Sequence, residues 1–251
     1  MCSPAFCLMD NEMPFGAIIF DLDGTLVHSA PDLTAILNRL LNKEGYSSLD
    51  ETVVTAMIGD GVAALVERGF SMSGATLQYG DLQRLITRFL DCYTSVPVHL
   101  TQPYAGVIRT LATLRSERYR LGICTNKLTG LAHSVLAGSG IAGFFDAVVG
   151  SDAVPSRKPD PAPVREAVRR LGATVQSTLM VGDSVVDVLA ARNAAIPVVL
   201  MSYGYSRMPP GSLGADAVVD RFSDLPEAIE ELSRRVCQVE QLAGPGALAR
   251  S

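Results

Sequence analysis

The sequence predicts an α/β fold: a parallel sheet with helices on both faces, interrupted after its first strand by a purely helical insertion. Three observations predict it. Short, continuous apolar runs recur along the chain. Most are separated by stretches with apolar residues at helical spacing. One long segment, about residues 30–95, carries helical periodicity and no strand pattern. Continuous apolar runs suit strands buried on both faces, and strands alternating with helices indicate a parallel sheet.

The first run, 16–20 (GAIIF), contains β-branched Ile18 and Ile19 and ends in Asp21. Later runs are 121–124 (LGIC), 147–149 (AVV), 178–181 (TLMV), 197–201 (PVVLM) and 217–219 (AVV). The intervening helices are marked by Ile108, Leu111 and Leu114, by Leu131, Val135 and Leu136, and by Val164, Ala167, Val168 and Leu171. An Ala- and Val-rich stretch at 185–194 and the trio Leu225, Ile229 and Leu232 mark two more. Within the insertion, Leu33, Ile36, Leu37, Leu40 and Leu41 form one amphipathic face, Val62, Leu65 and Val66 begin a second, and Leu82, Leu85, Ile86, Phe89 and Leu90 form a third. An insertion at the C-terminal end of a strand stands over the crevice where open α/β sheets bind ligands, which makes it a candidate cap. The expected division is a core of 1–28 and 97–240, a cap of 29–96 and a flexible tail of 241–251, with the first 14 residues as a loose lead-in.

The chain of 251 residues is 48% hydrophobic and 19% charged, with a formal net charge of -5. That length holds a sizeable core with room for a second small domain. The balance is too apolar for disorder, and the acidity argues against a nucleic-acid surface. Cys2, Cys7, Cys92, Cys124 and Cys237 are odd in number and match no CxxC zinc spacing, which suggests a reducing compartment. No signal-peptide pattern and no membrane-length apolar run is present, so a cytoplasmic protein is expected.

Four segments that follow predicted strands carry candidate chemistry. Asp21 and Asp23 stand two residues apart, with Gly24 permitting a sharp turn. Two carboxylates this close raise each other's pKa unless a cation is near, so the pair asks for a metal or a lysine; a loop of solvated aspartates has the same pattern. A calcium loop counted from Asp21 would put Leu26 where Gly is needed and Asp32 where Glu is needed. The second segment, Cys124-Thr125-Asn126, offers a hydroxyl and a turn for phosphoryl oxygens, or simply a capping Thr before a helix at 128. Cys124 is not the nucleophile of a Cys-x5-Arg loop, because Gly130 occupies the arginine position. In the third, Lys158 lies between Arg157 and Pro159; it suits phosphate and carboxylate as a compact charge, or is a surface lysine before a helix. In the fourth, Asp183 and Asp187 share a face if a helix starts at Ser184, and fit either a hard cation or a helix N-terminus.

Together and in this order, Asp21-Leu22-Asp23-Gly24-Thr25, Thr125, Lys158-Pro159 and Gly182-Asp183-Ser184-x-x-Asp187 closely resemble the haloacid dehalogenase superfamily over about residues 16–222. The resemblance implies a Rossmann-like core with a helical cap, and Mg²⁺ as cofactor. It implies Asp21 as the nucleophile that forms an aspartyl-phosphate and Asp23 as general acid and then base. Dehalogenating members usually lack the second Asp, so its presence favours phosphoryl transfer. Thr125 and the Asn126 backbone resemble a phosphoryl clamp, and Lys158 the lysine that steadies the nucleophile. Asp183 resembles a direct metal ligand beside Asp21 and the Asp23 carbonyl, with Asp187 supporting the metal directly or through water.

Within that superfamily, the stretches FDLDGTLVHSAPDL, IGDG, PYAGV, CTNK, VGSDAVPSRKPDPAPV, MVGDSVVDVLAAR and SYGYS are similar to bacterial phosphoglycolate phosphatases. His28 replaces a common Asp in the hinge leading to the cap, and Ala194-Ala195 a common Ala-Gly. The expected substrate is a small phosphate monoester, most simply 2-phosphoglycolate, handled by a monomer or homodimer. Its carboxylate calls for a cap cation, and Arg68 is the candidate. The alternatives are a phosphatase for a sugar phosphate or pyrophosphate, a β-phosphoglucomutase-like isomerase, a phosphonoacetaldehyde hydrolase, and a non-catalytic binding protein on the same core. The hydrolase needs a cap lysine, and Lys43, the insertion's one lysine, lies in a helix with no pocket signal. The binding protein is disfavoured by the intact acid and lysine set.

Overall fold

The computed structural model describes residues 14–95 and 100–243. The lead-in before residue 14, the junction at 96/97 and residues 244–251 of the expected tail lie outside them. In chain order the elements are β1 (Ala17–Phe20), β2 (Val27–His28), α1 (Ala30–Lys43), α2 (Glu51–Thr55), α3 (Val62–Met72), α4 (Tyr79–Ser95), β3 (Gln102–Pro103), α5 (Val107–Ser116), β4 (Arg120–Cys124) and α6 (Thr129–Gly138). There follow β5 (Ala147–Val149), α7 (Ala162–Arg170), β6 (Thr178–Gly182), α8 (Val185–Ala194), β7 (Val198–Met201), β8 (Ala217–Val219) and α9 (Leu225–Ala243). The last helix runs through residues 241–243, which the sequence pattern assigned to the tail.

Six strands form one parallel sheet in the order β5-β4-β1-β6-β7-β8. The strand run that opens the chain therefore lies inside the sheet, with β4 on one side and β6 on the other. Alternate residues of β1 feed separate cores: Ile18 and Phe20 pack on one face, Ala17 and Ile19 on the other. Both sets are fully buried, which is why GAIIF reads as a continuous apolar run. Register aligns Phe20 with Ile123 of β4 and with Val181 of β6. Asp21, Cys124 and Gly182 thus come level at one edge, where the strand order reverses and ligands of open α/β sheets bind.

Among its described residues the insertion contains α1–α4 and no strand. Its buried side chains, among them Leu37, Leu65, Phe70 and Phe89, belong to the same cluster as Ile18 and Phe20. The chain enters and leaves it through a two-stranded antiparallel ribbon, with Val27 opposite Pro103 and His28 opposite Gln102. Asp32, in the first turn of α1, fastens the exit: its carboxylate accepts hydrogen bonds from Thr101 N (2.8 Å), Thr101 Oγ1 (2.6 Å) and Leu100 N (3.2 Å). His28 has a structural place here, its Nδ1 lying 3.0 Å from the Tyr205 hydroxyl. That hydroxyl also accepts from the backbone N–H groups of Ser29 and Ala30 at the start of α1. No helix among the described residues is long and apolar enough to cross a membrane.

Candidate active site

Asp21, the residue after β1, is buried at the carboxyl edge of the sheet. Its Oδ1 accepts a hydrogen bond from Lys158 Nζ at 2.8 Å. Lys158 is only 2% exposed, so it is not the surface lysine that an isolated Lys-Pro pair permits. Its ammonium also donates to Asp187 Oδ1 (2.7 Å) and to the Cys124 carbonyl (2.7 Å). Three donors meet three acceptors, as a buried ammonium requires. Burial alone would lower the lysine's pKa; Asp187 and Asp21 outweigh it and hold the group charged.

Asp183 and Asp187 complete the acid cluster. Each of Asp21, Asp183 and Asp187 offers a carboxylate oxygen within 4.8 Å of the others. Asp183 is held from two sides, with Oδ1 accepting from Thr25 Oγ1 (2.8 Å) and Oδ2 from Tyr205 N (2.7 Å). Glycine makes room for it. A Cβ on Gly204 would stand 2.1 Å from Asp183 Cβ, and one on Gly24 would stand 2.5 Å from Asp183 Oδ2. Gly24 also takes φ +89°, which side chains rarely adopt. Asp187 Oδ2 closes a capping box at the start of α8, accepting from Ser184 N (3.1 Å) and Ser184 Oγ (2.7 Å). The helix-terminus and cation readings of this segment are therefore compatible: one oxygen of Asp187 caps the helix and the other faces Lys158.

Three buried carboxylates against one ammonium leave excess negative charge. Burial, opposed by Lys158 and reinforced by Asp187, pushes the Asp21 carboxyl up to about 6. Burial, Asp187 and Asp21 raise Asp183 well above its ordinary value. Such a cluster is short of a cation, and a hard divalent ion that prefers carboxylate oxygens fits it.

Thr125 and Asn126 lie on the turn after β4. Thr125 Oγ1 accepts from Lys127 N at 3.2 Å, so it shapes this turn and does not cap α6, whose N-cap is Leu128. Its O–H remains able to donate into the cleft. The Asn126 side chain ties the site together, donating to the Lys158 carbonyl (3.1 Å) and to the Gly59 carbonyl in the insertion (3.0 Å). Asp21, Asp23, Thr125, Asn126 and Lys127 line a cleft whose opposite wall is Leu33, Ile58, Gly59, Gly61, Val62 and Leu65 of the insertion.

Arg68 is not brought to this cleft, and the expectation that it serves there is corrected. Its Nη1 pairs with Asp60 Oδ2 at 2.5 Å and donates to the Met57 carbonyl. It lines a separate groove with Val53, Ala56, Glu67, Met72 and Arg207. Leu65 lines the cleft, whereas Arg68, a turn further along α3, is taken up by Asp60 and the Met57 carbonyl. Sequence reasoning missed Lys127, which is buried with Nζ 2.7 Å from Asp23 Oδ2. Burial opposes its charge, but Asp23 and Tyr93 outweigh it and raise its pKa. Its signal was present in the stretch CTNK, yet two residues beyond the hydroxyl that drew attention. Cys124 is buried, its thiol pushed up to about 12 chiefly by that burial, in keeping with a small core residue.

The chain matches the haloacid dehalogenase-like hydrolase family over residues 18–201. It belongs to that family. A protein of Caulobacter vibrioides named phosphoglycolate phosphatase is 44% identical over 218 residues, covering 87% of this chain and 92% of its own length. One of the same name from Rhodospirillum rubrum is 46% identical over 215 residues, covering 83% and 88%. Among solved structures, a protein of Haemophilus somnus 129pt described as a predicted phosphoglycolate phosphatase superposes with a TM-score of 0.81 at 31% identity, covering 86% of this chain and 99% of that one. The α/β core with its helical insertion, described above, is what superposes on that structure over 86% of this chain.

Proposed function

We propose that this protein is a Mg²⁺-dependent phosphatase that hydrolyses 2-phosphoglycolate to glycolate and phosphate through an aspartyl-phosphate on Asp21. The observation that carries the reading is the buried Asp21 carboxylate, held by Lys158 Nζ at 2.8 Å and set beside Asp183 and Asp187. The relatives' names support the substrate.

In the proposed reaction an Asp21 oxygen attacks phosphorus while the bond to the ester oxygen breaks. Asp23, which lines the same cleft, delivers a proton to that oxygen and glycolate leaves. Asp23 then takes a proton from water as the water attacks phosphorus, releasing phosphate and restoring the Asp21 carboxylate. Lys158 keeps Asp21 oriented and offsets the charge of the phosphoryl group. Thr125 Oγ1 donates to a phosphoryl oxygen, together with the Asn126 backbone. Asp21 and Asp183, with Asp187 in support and the Asp23 carbonyl, would hold the metal, whose charge neutralises the phosphoryl oxygens when it is bound. Helices α1–α4 act as the cap that walls the cleft from water.

Phosphate release from 2-phosphoglycolate, glucose 6-phosphate, β-glucose 1-phosphate, pyrophosphate and phosphonoacetaldehyde, with Mg²⁺ and with EDTA, tests this. The expected result is Mg²⁺-dependent release favouring 2-phosphoglycolate by about 100-fold, and its loss in Asp21→Asn, with discrimination of about 2.7 kcal/mol. A flat profile would remove the named substrate and leave a general phosphatase. Release that persists in Asp21→Asn would remove the aspartyl-phosphate.

A further inference from the structure

We infer that Lys127 is the residue that recognises the substrate's second anionic group, taking the carboxylate of the leaving group while the phosphoryl group sits on Asp21. This rests on the phosphatase reading above and assigns the part of that site for which Arg68 was expected.

The case begins with the cleft's charge. Of the described residues that line it, Asp21 and Asp23 are anionic, and Lys127 is the cationic one. Lys158 lies beneath, its three donors already committed to Asp21, Asp187 and Cys124. The insertion's share of the wall is Leu33, Ile58, Val62 and Leu65 with two glycines. A substrate carrying a carboxylate next to its ester oxygen would leave that charge unpaired against this wall, which an apolar surface strongly disfavours.

Lys127 is placed to prevent that. Its backbone N–H is bonded to Thr125 Oγ1, so the proposed phosphoryl donor and the ammonium project from one tight turn. One of its three N–H groups meets Asp23 Oδ2 at 2.7 Å. The ring of Tyr93, from α4, lies 5.1 Å from Nζ and covers another side of the ammonium. An ammonium has three donors, and one is left for a ligand oxygen in the cleft. Asp23 Oδ1 is buried with no hydrogen-bond partner among the described residues, as expected for an acid whose second oxygen waits for a substrate atom. Lys127 therefore touches both the proposed acid and the space the leaving group would fill. The chemistry selected is a phosphate monoester with a carboxylate close to the ester oxygen.

The test compares two esters in three proteins: 2-phosphoglycolate and 2-hydroxyethyl phosphate, in wild type, Lys127→Met and Lys127→Arg. The readout is the ratio of the two kcat/KM values within each protein, from which the fraction of folded, active enzyme cancels. The expected result is a wild-type preference for the carboxylate ester that shrinks by roughly 10- to 100-fold in Lys127→Met, the span of a hydrogen bond to a charged group, and is partly retained in Lys127→Arg. An unchanged ratio in Lys127→Met, with both esters slowed alike, overturns the inference and leaves Lys127 as a partner of Asp23 only. A wild type that hydrolyses both esters equally also overturns it while the phosphatase reading stands. A wild type that hydrolyses neither removes the phosphatase reading, and the inference with it.

Discussion

Replacing Lys158 by Met makes a prediction whose size follows from the geometry. At 2.7 and 2.8 Å the lysine's contacts with Asp187 and Asp21 are each worth roughly 6 kcal/mol at an effective dielectric of about 20. Carboxylate oxygens within 4.8 Å of one another repel by roughly 3–4 kcal/mol or more per pair on the same scale. One lysine thus about balances the three mutual repulsions of the cluster. Without it, the cluster relieves itself by binding a proton, which limits the loss to the range of about 3–5 kcal/mol for breaking a buried pair. For a chain of this size that lowers Tm by roughly 6–20 °C. The loss depends on pH in a definite direction. Burial is the largest cause of the rise of Asp21 to about 6, and Lys158 is the principal opposing one, so its removal raises Asp21 further. A carboxylate with a raised folded pKa costs no stability below its unfolded value and costs progressively more as pH rises through the folded one. Lys158 itself, its pKa raised, stays charged throughout. Calorimetric melts in EDTA should therefore show the Lys158→Met deficit widening from pH 5 to pH 8. A deficit of the same size at both pH values, or none, would refute the claim that this lysine holds together an overcharged acid cluster.

Three further outcomes follow from the same site. On the proposed reading, Mg²⁺ competes with protons for both Asp21 and Asp183, whose pKa values are raised, so its apparent Kd in calorimetric titration should weaken by at least about tenfold per pH unit as pH falls below about 6. Gly204→Ala places a Cβ 2.1 Å from Asp183 Cβ and must displace that carboxylate; Mg²⁺ should bind at least about tenfold more weakly and raise Tm less than it does for wild type. Iodoacetamide at pH 8 should leave Cys124 unmodified in the folded protein by mass spectrometry, with phosphate release intact, because the thiol is buried and held up to about 12.

The sheet was legible because its strands are buried on both faces. Each apolar run the sequence marked lies on a strand, and Leu111, Leu114, Val164, Ala167, Val168 and Leu171 are buried as their helical spacing implies. Ile108 is the exception. It is 52% exposed, and Val107 takes its place in the core, because the helix begins one residue earlier in phase than the Ile108-Leu111-Leu114 series suggests. The ribbon of β2 and β3 was invisible, since two-residue strands carry no period. At the site, residues defined by strand ends could be named in advance, because the end of a buried run fixes where its side chain emerges. Residues defined by tertiary reach could not. Tyr205 supports Asp183 through its backbone N–H and α1 through its hydroxyl, and nothing local to SYGYS announces either bond. Arg68 illustrates the same limit: charge type suggested a role, but its partners, Asp60 and the Met57 carbonyl, are set by tertiary reach.

The turn after β4 gives these separate facts one physical logic. Thr125, Asn126 and Lys127 are consecutive and buried, yet each reaches a different partner: the cleft, the loop of Lys158 and the Gly59 link of the insertion, and Asp23. Their common base is β4, hydrogen-bonded to β1 along its length, so the groups above it move together with Asp21. On the reading proposed here, the polar contacts to both ends of the substrate come from this rigid sheet edge, and the insertion supplies mostly apolar wall. Holding the reacting groups on strands and leaving enclosure to the insertion lets α1–α4 shift without disturbing the distances that set the chemistry. Asn126 and Arg157 tie the insertion to this edge: the Asn126 amide donates to the Gly59 and Lys158 carbonyls, and Arg157, next to Lys158, donates to the Asp60 carbonyl.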